Sequence, residues 1–517
     1  MFKTSLFFLI IVLGLQFPIA FSQEIDPVVR FSETIKAEDL QSHIYFLADD
    51  LLEGRETGER GMHLAALYIK TRFMRFGLTS GVPDNGFYQN FFMERTVIEE
   101  ANMRLGETQC QFRDHFFTFN SSMPDSLEGK LEFVGFGLNT VTYDNLQHAK
   151  LKGKIAVAFA GSPTETEDKK RMYDQVKEWS ERKEGVENAG AKAMLMIVPD
   201  KTYKTISRFA RRRSMRISDG KDSGIPLIFV QESAAASLFQ KAKIDPAVLM
   251  DQLATSDELP KVKLRKSSFK LTAKVDRTSN KAMNVLGYLE GSEKADELLI
   301  ITGHFDHIGI SRKGEVNNGA DDDASGTSAV LELAEAFSLA AKAGHRPKRS
   351  ILFMTVSGEE KGLLGSDFYT EHPIYPLDKT IANLNIDMIG RIGKEYLNSA
   401  DSSNYIYVIG ADKLSSELHS INEQANDQYT QLKLDYKYND ENDPNRFYYR
   451  SDHYNFAKNG IPVIFYFNGT HKDYHRPGDD PEKIGYEKAA KVTRLVFATA
   501  WELANRDSRI IVDQEGK

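Results

Sequence analysis

Between His304 and His475 the chain sets out metal-binding side chains in the order His, Asp, Glu-Glu, Asp, His. Imidazole and carboxylate are donors that zinc accepts, and this set is larger than one tetrahedral ion with an open position requires. The spacing therefore predicts a binuclear zinc centre, two ions about 3.5–4 Å apart that together clamp an attacking water and a substrate carbonyl. His304 and His475 would each terminate one metal, with Asp387 and Glu360 completing the two shells. A bridging carboxylate would come from the turn Asp321-Asp322-Asp323, where a helix start and the metal charge keep it ionised. The residues by themselves leave open which of the three bridges.

Glu359 and Glu360 are adjacent, so both cannot easily point at one metal. The reading that follows is a division of labour: Glu360 binds metal, and Glu359 takes the proton of the activated water as general base. Asp306 lies two residues beyond His304, on the same side of an extended chain, where it can accept the other ring N–H and fix the tautomer. Taken singly, each residue has an ordinary explanation, since a lone histidine is more often a core or surface group and an aspartate run before a helix is usually a cap. The combination is harder to explain that way. Three apolar strands each end in an imidazole or carboxylate that could not be buried unpaired. His307 and His453 are the nearest rivals as ligands.

These residues need elements that bring them together. The apolar runs LLIITG (Leu298 to Gly303), ILFMTV (Ile351 to Val356), IANLNI (Ile381 to Ile386) and VIFYF (Val463 to Phe467) alternate with helical patterns, the last being EKAAKVTRLVFATAWELA. Such alternation predicts an α/β fold with a mixed, mostly parallel sheet and helices on both faces. In open sheets of this kind ligands collect outside the carboxyl ends of the strands, where residues distant in sequence can meet. Upstream, Ser32 to Phe92 reads as two amphipathic helices. From Leu127 to about Ser268 short strand patterns separated by Gly- and Lys-rich segments predict a β-rich insertion. The expected organisation is a leader at 1–22, an N-terminal part of the main domain at 23–126, the insert at 127–268 and the rest of the main domain at 269–517.

A chain of 517 residues exceeds one ordinary core, and 41% hydrophobic with 27% charged residues describes a globular protein. The formal charge of −8 argues against nucleic acid as a partner, because phosphate binding wants a basic face. Leu6 to Leu15 is apolar, follows Lys3 and precedes Ala20-Phe21-Ser22, the pattern of a cleavable secretory signal. It is short for a membrane span, so a secreted or periplasmic protein without a lasting anchor is expected. Cys110 is the single cysteine, which excludes an intrachain disulfide. Arg211-Arg212-Arg213 reads as a solvated face.

The motifs GHFDH (Gly303 to His307), GADDDASG (Gly319 to Gly326), SGEEKGLLGS (Ser357 to Ser366), NIDMIGR (Asn385 to Arg391), SDHYNF (Ser451 to Phe456) and YHRPGDD (Tyr474 to Asp480) resemble those of the M28 family of zinc peptidases, in order and spacing. The resemblance is to aminopeptidase-like members that carry a protease-associated domain, which YDNLQHAKLKGKIAVAFAGSP and ENAGAKAMLMIV look like. LADDLLEGRETGERG (Leu47 to Gly61) looks like the family's N-terminal helical segment. The resemblance implies metal ligands at His304, Asp322, Glu360, Asp387 and His475, with Asp322 bridging, Glu359 as base and Tyr474 as an oxyanion-stabilising group. Two departures, Asp323 for a common asparagine and Arg476 for a frequent threonine, remove no ligand.

It further implies an exopeptidase that takes N-terminal residues from peptides. A carboxypeptidase of the same fold would instead hold a terminal carboxylate, and Arg391, Arg446 and Arg450 leave that reading open. A one-zinc glutaminyl cyclase fits neither the insert nor five ligands. An inactive receptor or binding protein would have lost ligands, and here none is missing.

Overall fold

The computed structural model describes residues 25–514, apart from 84–85, 119–122, 140–143, 148, 162–171, 209–213, 219–223, 256–259, 261, 263 and 265–267. The expected leader and the run Arg211 to Arg213 lie outside these described residues.

Continuous apolar runs make strands that are buried on both faces. Arg349–Val356, Thr380–Ile386 and Val463–Phe467 are buried at every residue, as are the last seven residues of Lys294–His304. The sheet runs in the order Lys433–Asp435, Tyr405–Ile409, Val463–Phe467, Thr380–Ile386, Lys294–His304, Arg349–Val356, Ser268–Leu289. Its central four strands are mutually parallel, with antiparallel strands to either side. Side chains alternate between the faces, as the strand period of two demands. Leu299 and Ile301 enter a core with the helices Ala37–Leu47, Arg60–Phe76, Gly326–Lys342 and Tyr486–Asn505, whereas Leu298 and Ile300 pack on the opposite side with Tyr369 and Phe456. The sheet is thus covered on both faces by helices, the mixed, mostly parallel α/β architecture expected.

One feature differs from the sequence pattern. FKLTAKV and NVLGYLEG, two separate strand signals, lie on a single 22-residue strand, Ser268–Leu289. Its partner Tyr88–Leu105 runs antiparallel along most of its length, from Val285 opposite Tyr88 to Phe269 opposite Leu105, with one register shift at Lys274/Val275. The exposed, charged middle of the ribbon hid its continuity, because cross-strand pairing rather than burial sustains it.

The ribbon leads into a second module. There Ser126–Phe133, Ile155–Phe159, Ala193–Val198 and Leu227–Gln231 form a parallel run with its own apolar clusters. Ala101, Met103, Leu105, Cys110, Phe116 and Met123, all upstream of Leu127, share that core. No described helix is long and apolar enough to cross a membrane.

Candidate metal centre

His304 ends its strand, Glu359 and Glu360 follow Arg349–Val356 by three and four residues, and Asp387 follows Thr380–Ile386 directly. Because these three strands are parallel neighbours, their carboxyl ends lie side by side. The turn Ala320–Ser325 and the loop after Val463–Phe467 supply Asp322 and His475 to the same place.

Asp322 stands between the two histidines. Its Oδ1 lies 3.2 Å from His304 Nε2, and its Oδ2 lies 3.1 Å from His475 Nε2. His304 Nε2 is also 3.6 Å from Asp387 Oδ1, and His475 Nε2 is 3.1 Å from Glu360 Oε2. Two clusters result, one of His304, Asp322 and Asp387 and the other of Asp322, Glu360 and His475. All five ligand candidates therefore meet. His304 Nε2, Asp322 Oδ2 and Glu360 Oε1 are buried without any hydrogen-bond partner. Orphaned donor and acceptor atoms at such separations are costly unless a cation stands between them, so the residues fit a pair of zinc ions.

The three aspartates of the turn have different tasks. Asp323 accepts from the backbone N–H of His304, Gly326 and Met388, at 3.1, 2.8 and 3.0 Å, which ties the turn to two strand ends. Asp321 accepts from Gly390 N–H and Asn468 Nδ2. Only Asp322 turns into the centre, and Asp479 Oδ2 holds the backbone N–H groups of Asp321 and Asp322 from behind. Gly326 is needed where the helix starts: a Cβ there would lie 2.1 Å from Ile386 O and 2.5 Å from the Asp323 carboxylate.

Other contacts set the orientation of the ligands. His304 Nδ1 is 3.1 Å from the main-chain oxygen of Asp306 and 3.7 Å from its carboxylate, so the backbone carbonyl orients the ring. The Asp306 carboxylate instead accepts from Thr57 Oγ1 at 2.6 Å and from the Glu359 N–H at 3.3 Å. Ser451 donates to Asp387 Oδ2 at 2.6 Å and accepts from Asn385 Nδ2. Arg55, fully buried, donates to the carbonyls of Leu47, Phe305, Asn318 and Gly319, lacing the N-terminal segment to both metal-bearing loops.

Burial pushes the Glu359 carboxyl well above the usual range, with Glu360 and Asp387 adding to the shift against the opposing charge of His304. Glu360 also suffers burial and the Asp322 charge, yet His307 and His475 bring it down to about 2. Adjacent carboxyls whose pKa values are driven apart suit unlike roles. Tyr474 stacks on His475 at 3.9 Å between ring centroids, and its hydroxyl accepts from Arg450 at 3.2 Å. With Asp322, Glu359, Asp387, Met388 and Phe447, it lines a small cavity at the centre.

The rival residues separate clearly. Arg391 is committed to Asp473 and Asp479, at 2.7 and 3.2 Å, and Arg446 lies over the Tyr449 ring. His453 is a core residue packed on Phe465, its pKa lowered to about 3 by burial. His307, the other rival, sits inside the centre. Thr57, Arg55, Ser451 and Asp479 carried no role in the sequence reading. The quoted motifs SDHYNF and YHRPGDD contain Ser451 and Asp479, and only the first glycine-rich segment, LEGRETG, hinted at the others.

The Peptidase family M28 model matches residues 284–500, so this part of the chain is similar to that family. A probable zinc metalloprotease of Pyrenophora tritici-repentis is 31% identical over 264 residues, 43% of this chain and 51% of that protein. Aminopeptidase YwaD of Bacillus subtilis is 23% identical over 377 residues, 70% of this chain and 65% of that one. The matches to the fungal relatives thus span about half their length. Among solved structures, an aminopeptidase from Aneurinibacillus sp. strain AM-1 superposes with a TM-score of 0.54 at 20% identity, covering 94% of this chain and 98% of that one, which supports the same fold.

Proposed function

We propose that this protein is a binuclear zinc aminopeptidase that shortens peptides from their free N-terminus. The observation that carries the reading is Asp322, whose two oxygens face His304 and His475 at 3.2 and 3.1 Å while neighbouring donors remain unpaired. His304, Asp322 and Asp387 would hold one ion, and Asp322, Glu360 and His475 the other. Zinc supplies Lewis acidity there, polarising a carbonyl and acidifying a water.

The chain's own groups do the rest. Glu359, its backbone N–H tied to Asp306 beside the centre, accepts a proton from the attacking water and returns it to the leaving amine. The Tyr474 hydroxyl, which accepts a hydrogen bond from Arg450, donates to the oxygen on which negative charge develops. The surrounding carboxylates, among them Glu359 and Asp387, favour an ammonium or amine at the end of the substrate. Residues 127–268 are read as a protease-associated insert, extended upstream by the shared core residues from Ala101, and the apolar leader as an export signal.

Arg450 favours a second reading. It lines the same cavity, where a guanidinium could receive a terminal carboxylate, as in a carboxypeptidase. One peptide prepared with a free and with an acetylated N-terminus separates the two. Stepwise shortening of the free form alone supports the aminopeptidase; release of the C-terminal residue from the acetylated form overturns it.

A further inference from the structure

Resting on the two-ion reading above, we infer that His307 is a fourth protein ligand of one ion, donating Nδ1 beside Asp322, Glu360 and His475. His307 is fully buried, and neither ring nitrogen has a hydrogen-bond partner. Its Nδ1 lies 2.8 Å from Glu360 Oε1 and 3.8 Å from Asp322 Oδ2. At 2.8 Å the two atoms are in close contact, yet they meet no hydrogen-bond geometry, and both Nδ1 and Glu360 Oε1 stay without a partner. Two ligands of one cation have that relation, each directed at the ion rather than at the other. His304 Nε2 carries the same signature, 3.2 Å from Asp322 Oδ1 and likewise without a hydrogen bond.

The ring has no freedom to serve elsewhere. Its backbone N–H donates to Arg55 O at 3.1 Å, and the ring packs on Gly319, where an added Cβ would lie 2.6 Å from the His307 Cγ and Cδ2 atoms. Gly319 has φ +58°, so both the space and the backbone favour glycine there. The His475 ring approaches edge-on with centroids 5.8 Å apart, and its Nε2 lies 3.1 Å from both Asp322 Oδ2 and Glu360 Oε2.

The consequence is an unequal pair. The ion held by His307, Asp322, Glu360 and His475 has four protein ligands, the number of a closed structural site, whereas the ion held by His304, Asp322 and Asp387 has three and keeps the open position of a catalytic one. The first should bind more tightly.

Titration of the metal-free protein with zinc against a competing chelator tests this without reference to turnover. The wild type should fill two sites of distinct affinity. His307→Ala should weaken the tighter site by about 10- to 100-fold or more and leave the other within a few-fold. His307→Asn, which returns an amide N–H near the Nδ1 position, should not restore it, since an amide nitrogen is no zinc ligand. Unchanged affinities in His307→Ala would overturn the inference, and so would full restoration by asparagine, which would make the histidine a hydrogen-bonding support for Glu360. A wild type that saturates at one zinc would instead overturn the two-ion reading. Thermal unfolding of both metal-free variants, expected to match the wild type, separates lost ligation from lost folding.

Discussion

Glu359 and Glu360 are neighbours in sequence but address opposite sides of the centre: Oε2 of Glu359 lies 3.9 Å from His304 Nε2, whereas Oε2 of Glu360 lies 3.1 Å from His475 Nε2. The turn that achieves this follows Gly358, which adopts φ +81°, and the Glu359 N–H is tied to Asp306. A base and a ligand can therefore sit on consecutive residues.

Replacing the two glutamates should give different losses. Glu359→Gln deletes a proton acceptor and no ligand, so turnover should fall by about 10²–10⁴-fold while zinc content stays at two per chain. Glu360→Gln should release zinc. Metal analysis beside a peptide assay distinguishes them, and loss of zinc from the Glu359 variant would reverse the assignment.

Ser451 tests how closely Asp387 must be held. Ser451→Ala removes the donor to Asp387 Oδ2 without touching a ligand. Zinc affinity at the site containing Asp387 should drop by roughly 10-fold, in line with other residues that orient ligands. Chelator competition reads this directly.

Arg55 links the N-terminal segment to the centre, so its loss should be felt as stability. Arg55→Met strands the carbonyls of Leu47, Phe305 and Asn318, while Gly319 O keeps the Ala324 N–H at 3.2 Å, at about 1–3 kcal/mol for each that finds no water. A lowered urea midpoint, corresponding to a loss of about 3 kcal/mol or more in unfolding free energy, is expected in the metal-free protein, where zinc cannot mask the change.

A separate pH dependence is built into the helical face. Glu332 is pushed up to about 8 by burial and the Asp39 charge, and His43, with its Nε2 at 3.3 Å, is lowered to about 4, chiefly by burial. The folded state thus keeps a proton on Glu332 that the unfolded chain gives up near its ordinary value of 4.5. His43, neutral in the fold down to about 4 but protonated in the unfolded chain up to 6.5, gives the opposite slope and offsets this loss at lower pH, so the net decline should appear as pH rises from about 6.5 towards 8, by about 2 kcal/mol. Glu332→Gln, which cannot ionise, should flatten that decline in denaturant titrations. A slope identical to the wild type would refute the assignment.

The ligand types, their order and their delivery at strand ends were legible in the chain, because buried strands leave a local signature of continuous apolar residues and polar termini. Glu359 and Glu360 could be given unlike roles from adjacency alone. The tasks of Asp321, Asp322 and Asp323 could not be separated that way, since each is fixed by partners elsewhere: Gly390 and Asn468 for the first, Asp479 behind the second, Met388 for the third. The same holds for His307, whose place depends on Arg55 and Gly319, and for Arg391, which the acids of a distant loop draw away from any substrate. Local sequence sets which strand ends carry a ligand; which atom faces which is decided by contacts between segments up to some 260 residues apart, as between Arg55 and Gly319, and those exist only once the sheet has assembled.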